Sequence, residues 1–246
     1  MFANRRLAEI YDALDPRRDD LDVYAALVDE LGARSVLDVG CGTGTFACML
    51  ALRGIDVVGV DPARASLDVA RRKLGADRVR WIEGDATGLP PLQVELVTMT
   101  GNVAQVFVGD DDWEETLRGV HGALAPGGRL VFETRDPAQQ AWHAWNADAS
   151  RQRTLIPGVG AVVSWVETTS VRGSAVTIRW TFEFEADRAM LTSDSTLRFR
   201  SQRDIDASLA ATGFVTEQVR DAPDRPGAEL VFIVRRESLP RVNNAS

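Results

Sequence analysis

A chain of 246 residues is long enough for one large domain, or for one domain that carries an insertion. Its 45% hydrophobic and 26% charged residues are ordinary for a globular protein, and no apolar run approaches the ~20 residues of a membrane-spanning helix. A net charge of −8 argues against a nucleic-acid partner and for a small molecule, and the two cysteines, Cys41 and Cys48, with two histidines make a poor metal-ligand set. No apolar stretch of a signal peptide follows Met1 to Arg6, so the cytoplasm is the expected location.

Residues 1–33 place Leu7, Ile10, Tyr11 and Leu14 at helical spacing, break at Asp15-Pro16, and resume a helix over 21–31. The stretch 36–46 organises the rest of the chain. Val36-Leu37-Asp38-Val39 reads as a short buried strand with an acid near its end. Gly40, Gly42 and Gly44 then turn the chain into a helix over 45–53 that Gly54 stops, so a ligand can approach backbone that carries no side chains. The dinucleotide fingerprint wants glycines at the first, third and sixth places, and the sixth here is Thr45. A carboxylate just ahead of the loop would repel a pyrophosphate; it suits a cationic ligand or one that offers hydrogen-bond donors.

A second strand over 55–61 ends in Asp61, and Pro62 takes the favoured first position of a helix with the inner stripe Leu67, Ala70 and Leu74. An acid at that strand end can accept ribose hydroxyls, cap the helix, or do both. The strand 79–83 leads to Gly84-Asp85-Ala86, where Asp85 is either a turn residue or an acceptor for the exocyclic amine of adenine. The strand 94–99 runs into Thr100-Gly101-Asn102. Asp110 or Asp111 is expected to cap the next helix, with Trp113, Leu117, Val120 and Leu124 as its core stripe and His121 at its boundary. Pro126-Gly127-Gly128 ends that helix, and 129–134 is the fifth strand.

Asp38 to Gly44 resembles the first motif of the class I S-adenosylmethionine-dependent methyltransferases, and the later strand-end residues recur in that family's order. The resemblance covers most of 34–136 and, more loosely, 201–236. It implies S-adenosyl-L-methionine as cofactor, with Gly40, Cys41, Gly42 and Gly44 under its methionine part and Asp38 facing its amino group, directly or through water. It further implies Asp61, beside Pro62, on the ribose; Asp85 on adenine, with the Ala86 amide on a ring nitrogen; and Thr100, Gly101 and Asn102 beside the transferable methyl. N-terminal helices cover the cofactor in similar methyltransferases, which makes Tyr11 a substrate-side candidate. Glu95 stands where the family often has Asp.

After Pro137 the pattern changes. A segment with Trp142, His143 and Trp145 precedes three expected antiparallel strands over 160–171, 174–185 and 190–200, and Val176, Ile178, Trp180, Phe182 and Phe184 alternate with polar residues along the middle one. A helix begins at Ser201 with Asp204 behind it, and strands over 214–220 and 229–235 close the sheet as an antiparallel hairpin.

The expected fold is α/β: a doubly wound, mostly parallel, seven-stranded Rossmann-like sheet with an antiparallel β insertion. Residues 1–140 and 201–236 would form the cofactor core, 141–200 the inserted lid and substrate region, and 237–246 a flexible tail. The expected function is methyl transfer to a small-molecule N, O or C nucleophile, with no nucleic-acid, membrane or metal partner. His143 is the candidate base, and Trp142 and Arg179 are substrate-side candidates; Arg179, with Arg198 and Arg200, would bind an anionic group. The alternatives are a homodimer through the inserted sheet, a non-enzymatic S-adenosylmethionine-binding sensor or partner subunit, and a nicotinamide-dependent dehydrogenase, which the Thr45 spacing disfavours. Lys73 is the only lysine, a fact to which the sequence attaches no function.

Overall fold

A strand with parallel neighbours on both sides must be apolar on both faces, and β1 (Ser35–Val39) buries Val36, Leu37 and Val39. The computed structural model describes residues 4–16 and 18–237, so the expected tail beyond 237 lies outside the described residues. β2 (Asp56–Asp61), β3 (Val79–Glu83), β4 (Val94–Met99) and β5 (Leu124–Arg135) run parallel to β1. β6 (Gln152–Ile156), β7 (Gly160–Arg172), β8 (Ala175–Phe184) and β9 (Ala189–Arg198) form a separate antiparallel sheet in that order. β10 (Phe214–Asp221) and β11 (Glu229–Arg236) return to the first sheet, whose order is β10-β11-β5-β4-β1-β2-β3, with β11 antiparallel to both neighbours.

Seven helices accompany the strands among the described residues: α1 (Arg5–Leu14), α2 (Asp19–Glu30), α3 (Thr45–Leu52), α4 (Arg64–Ala70), α5 (Asp110–Ala123), α6 (Ala147–Ser150) and α7 (Gln202–Ala211). Alternate residues of the central strands feed two cores. Val36, Val57 and Val131 pack with Tyr24 and Val28 of α2 and Phe46 of α3 on one face. Leu37, Val97 and Phe132 pack with Trp113 and Leu117 of α5 and Leu209 of α7 on the other.

The second sheet presents Val176, Ile178, Phe182 and Phe184 from β8 as its buried face, as their alternation predicts. Leu7 and Ile10 of α1 cover one half of that face, and Trp142, Trp145 and Phe199 cover the other. Several details differ from the sequence reading: α5 ends at Ala123, so Leu124 and Pro126-Gly127-Gly128 belong to β5, and α4 begins at Arg64, two residues after Pro62. The second sheet has four strands, because β6 pairs with β7. Leu74 is 82% exposed, because α4 ends at Ala70 before the stripe reaches it. The residue before α5 is Gly109 with no side-chain cap; Asp110 sits in the first turn, where Arg200 and Arg198 pair with it.

Candidate functional site

The chain leaves β1 toward β2 and β3 on one side and later returns to β4 on the other, so a crevice opens between the carboxyl ends of β1 and β4. The glycine loop sits there. Its Gly40 and Cys41 amides donate to the Val60 carbonyl at 2.9 and 3.1 Å, tying it to the end of β2. Gly40 has φ 70°, and a Cβ on it would meet Val103 Cγ2 at 2.6 Å. Gly44 has φ 74°, and a Cβ there would meet the Trp81 ring at 2.5 Å. Both positions need a left-handed backbone and the absence of a side chain, so only glycine serves.

Asp61, 7% exposed, anchors the other end of the loop: Gly42 N–H donates to its Oδ2 and Ala63 N–H to its Oδ1, both at 2.8 Å. Each oxygen keeps a lone pair for a ligand. Burial pushes the Asp61 carboxyl up, against those two backbone hydrogen bonds. Asp85 opens a turn in which the Thr87 amide and hydroxyl donate to its Oδ1 at 2.8 and 2.6 Å, and these hydrogen bonds hold its carboxyl below the usual range.

A cavity of ≈ 330 Å³ brings these pieces together. Gly40, Cys41, Gly42, Asp61, Pro62, Asp85, Thr100 and Gly101 line it, as do Tyr11 and Arg18 from the N-terminal segment. Asp38 lies beneath the loop rather than on the wall, 1% exposed, with Thr98 Oγ1 donating to its Oδ1 at 3.0 Å and its Oδ2 without a hydrogen-bond partner. Burial, opposed by that hydrogen bond and reinforced by the Asp61 charge, raises its pKa to about 7.

Val103, Val106 and Phe107 supply the facing wall from the segment after β4, and polar side chains from distant strands clamp that segment. Glu133 Oε1 accepts from the Gly101 and Asn102 amides at 2.6 and 2.9 Å. Burial and the neighbouring Glu229 raise the Glu133 pKa to about 7, against those two hydrogen bonds. Arg135 Nη1 donates to Gln105 Oε1 at 2.8 Å, and Arg200, 6% exposed, donates to the carbonyls of Phe107 and Gly109 at 2.8 and 3.0 Å. The second sheet thus holds one wall of the cavity through the chain that leaves β9.

The family described as "Methyltransferase domain" matches residues 36–128. Demethylmenaquinone methyltransferase of Deinococcus radiodurans is 37% identical over 174 residues, which are 63% of this chain and 70% of that protein. The chain belongs to the class I S-adenosylmethionine-dependent methyltransferase family. The cypemycin N-terminal methyltransferase of a Streptomyces species is 37% identical over 110 residues, 44% of this chain and 45% of the relative's length, so the chain spans less than half of that protein. A methyltransferase structure from Clostridium acetobutylicum matches 95% of this chain and 98% of its own at a TM-score of 0.76 and 18% identity, a likeness of fold.

The cofactor of this methyltransferase family is S-adenosylmethionine, and the residues present fit it. The orphaned Asp38 Oδ2 lies under the glycine loop, and Asp61 lines the same cavity. If Asp38 receives the ligand's ammonium group, its raised pKa predicts that binding depends on pH. A carboxyl that holds its proton up to about pH 7 must release it to receive a ligand's ammonium group. Affinity for S-adenosylhomocysteine is therefore expected to rise severalfold between about pH 6 and pH 8 as the carboxylate forms. Calorimetry across that range checks it, and the same slope in Asp38→Asn would rule the carboxyl out as its source.

Several predicted residues lie apart from the cavity. Arg179 belongs to the outer face of the second sheet, where Asp194 on β9 accepts from it bidentately at 2.7 and 2.9 Å; the substrate anion expected there is replaced by a cross-strand partner. Trp142 packs edge-on to Phe199 with ring centroids 4.7 Å apart, and exposed His143 comes next on a short 3-10 turn. Neither lines the cavity. Asn102 turns its side chain to Glu229, with Nδ2 donating at 3.1 Å, which leaves Thr100 and Gly101 as the lining members of that trio. Ala86 is covered by α5 at Gly119, and Gly44 serves packing against Trp81. Arg18, Thr43, Thr45, Phe46, Val103, Val106 and Phe107 also line the cavity, and the sequence does not mark them as site residues. Thr43 and Thr45 carry a signal all the same, since they flank Gly44.

Proposed function

We propose that the chain transfers the methyl group of S-adenosylmethionine to a small-molecule nucleophile, with an amine as the first candidate. The observation that carries this reading is one cavity whose floor is the glycine loop, Asp61 and Asp85 and whose facing wall is the apolar set Val103, Val106 and Phe107. The bound cofactor would supply an electrophilic methyl group on sulfur. Gly40 to Gly44 would seat its methionine part, Asp61 its ribose and Asp85 its adenine, and Asp38 would offer Oδ2 to its amino group.

The remaining task of the protein is to desolvate and align the nucleophile. Burial raises both the Tyr11 phenol and the Cys41 thiol, so both keep their protons near neutrality, and the two lining carboxylates, Asp61 and Asp85, are taken up by the ribose and adenine roles assigned above. An amine suits such a cavity because its free base attacks with a lone pair already present, without a protein base. The cypemycin relative, named for methylation at an N-terminus, supports the same class.

Three finer expectations join this proposal. The division into a cofactor unit, 1–140 with 201–236, and a substrate-side unit, 141–200, is supported by the clamp from Arg200 to Phe107. A homodimer through β9 is supported by that strand's ten residues at a sheet edge. A cytoplasmic location is supported by free thiols at Cys41 and Cys48.

Calorimetry against S-adenosylmethionine, S-adenosylhomocysteine, NAD and NADP tests the cofactor. Binding of the first two alone is expected, and tight binding of a nicotinamide cofactor alone would sink the reading. A panel of amines, phenols and carboxylic acids, read out by release of S-adenosylhomocysteine, tests the acceptor. Turnover confined to phenols or acids would reject the amine.

A further inference from the structure

Lys73 is the only lysine in a chain whose other basic residues, histidines aside, are all arginine. Its ammonium meets three acceptors: Asp12 Oδ2 at 2.6 Å, Thr45 Oγ1 at 2.5 Å and Thr43 Oγ1 at 3.3 Å. The two hydroxyls donate onward to Asp12 Oδ1 at 2.6 Å from Thr43 and 3.3 Å from Thr45. The four side chains form a closed ring in which the ammonium donates, the hydroxyls relay and the carboxylate accepts. Three hydrogens on one nitrogen suit three convergent acceptors, whereas a guanidinium presents its donors as a planar fork.

The ring joins three separate pieces of the cavity wall. Asp12 is next to Tyr11 on α1, Thr43 belongs to the glycine loop, and Thr45 opens α3; Tyr11, Thr43 and Thr45 all line the cavity. Leu7 and Ile10 bury the body of α1 against the second sheet, and Arg6 pairs with Asp187 near its start at 2.8 Å. Ala13 and Leu14 of the last turn also pack against that cluster, and Asp12 with its ring adds the polar tie from this turn to the glycine loop. With Lys73 22% and Asp12 38% exposed, water and salt reach the pair, so the contact is reversible.

We propose that Lys73 is a positioning residue for cofactor binding: through Asp12 it latches the C-terminal turn of α1, and with it Tyr11, onto the glycine loop. The latch rests on the cofactor assignment made above. Affinity for the ligand scales with the fraction of molecules in which α1 is docked, so a weakened latch lowers affinity and speeds release.

The test measures the dissociation constant and release rate of S-adenosylhomocysteine for the full chain and for Lys73→Met, Asp12→Asn, the double variant and Lys73→Arg, with the melting temperature of each. Lys73→Met and Asp12→Asn are each expected to weaken binding about fivefold and to speed release, as for a partly exposed ion pair with hydroxyl partners. The double variant is expected to match the singles, because both remove one coupled contact. Lys73→Arg, which keeps the charge, is expected to lie between wild type and Lys73→Met. Raised salt should weaken wild-type binding more than it weakens binding by Lys73→Met, a difference that a role of the lysine unconnected to its charge would not produce. Wild-type binding with Lys73→Met and Asp12→Asn within twofold of it overturns the latch alone. Failure of the wild type to bind S-adenosylhomocysteine overturns the cofactor reading and the latch with it.

Discussion

Asp61→Ala is expected to weaken S-adenosylhomocysteine binding tenfold to a hundredfold. The carboxylate is nearly buried, and each oxygen is already engaged by one backbone amide, from Gly42 and from Ala63. Those two bonds aim the remaining lone pairs into the cavity, which is what a pair of ribose hydroxyls needs. A hydrogen bond to a charged acceptor contributes about 1.5–3 kcal/mol, and each 1.4 kcal/mol is roughly tenfold in affinity. The same substitution frees the Gly42 and Ala63 amides, so a loss of stability of about 1 kcal/mol, typical of a lost hydrogen bond, should accompany the binding defect. Calorimetry and a thermal melt separate the two effects. The N-cap of α4 is Ala63 and not Asp61, so a lowered melting temperature with unchanged affinity would leave Asp61 as an anchor of the glycine loop only.

Gly119→Ala is expected to destabilise the protein by about 2–3 kcal/mol, although alanine is the better helix former by up to ~1 kcal/mol. Gly119 lies in the middle of α5, and a Cβ built on it would stand 2.0 Å from the Ala86 carbonyl oxygen. No side-chain motion relieves a contact with backbone. Either α5 lifts from the strand ends, or the turn of residues 85–88 moves and takes Asp85 with it. In a chain of this size each kcal/mol lowers the melting temperature by roughly 2–4 °C, so a fall of about 5–10 °C is expected. Weaker binding of S-adenosylhomocysteine should accompany it, because Asp85 is displaced. A melting temperature that stays level or rises, as helix propensity alone predicts, would show that the packing yields.

The part of the site written in local backbone chemistry is legible from the residues alone. Gly40 and Gly44 announce left-handed turns because no other residue adopts them at close approach, and Asp61 ends, and Asp85 follows, a strand that a reader can find from its residue pattern. The existence of the strands, the β10 and β11 pair among them, and the buried face of β8 come from the same short-range periods. Which side chains meet across distance is settled only on folding. The alternation along β8 puts Arg179 on the polar face, yet only the register with β9 sets Asp194 opposite it. Asn102 sits after a glycine as loop residues do, but Glu229, 127 positions away, takes its side chain. Arg18, Phe107 and the ring around Lys73 carry no periodic signal, since each owes its place to elements that come together only after the sheets have formed. A period of two or 3.6 residues says which side chains share a face; what that face meets depends on packing between segments far apart in the chain.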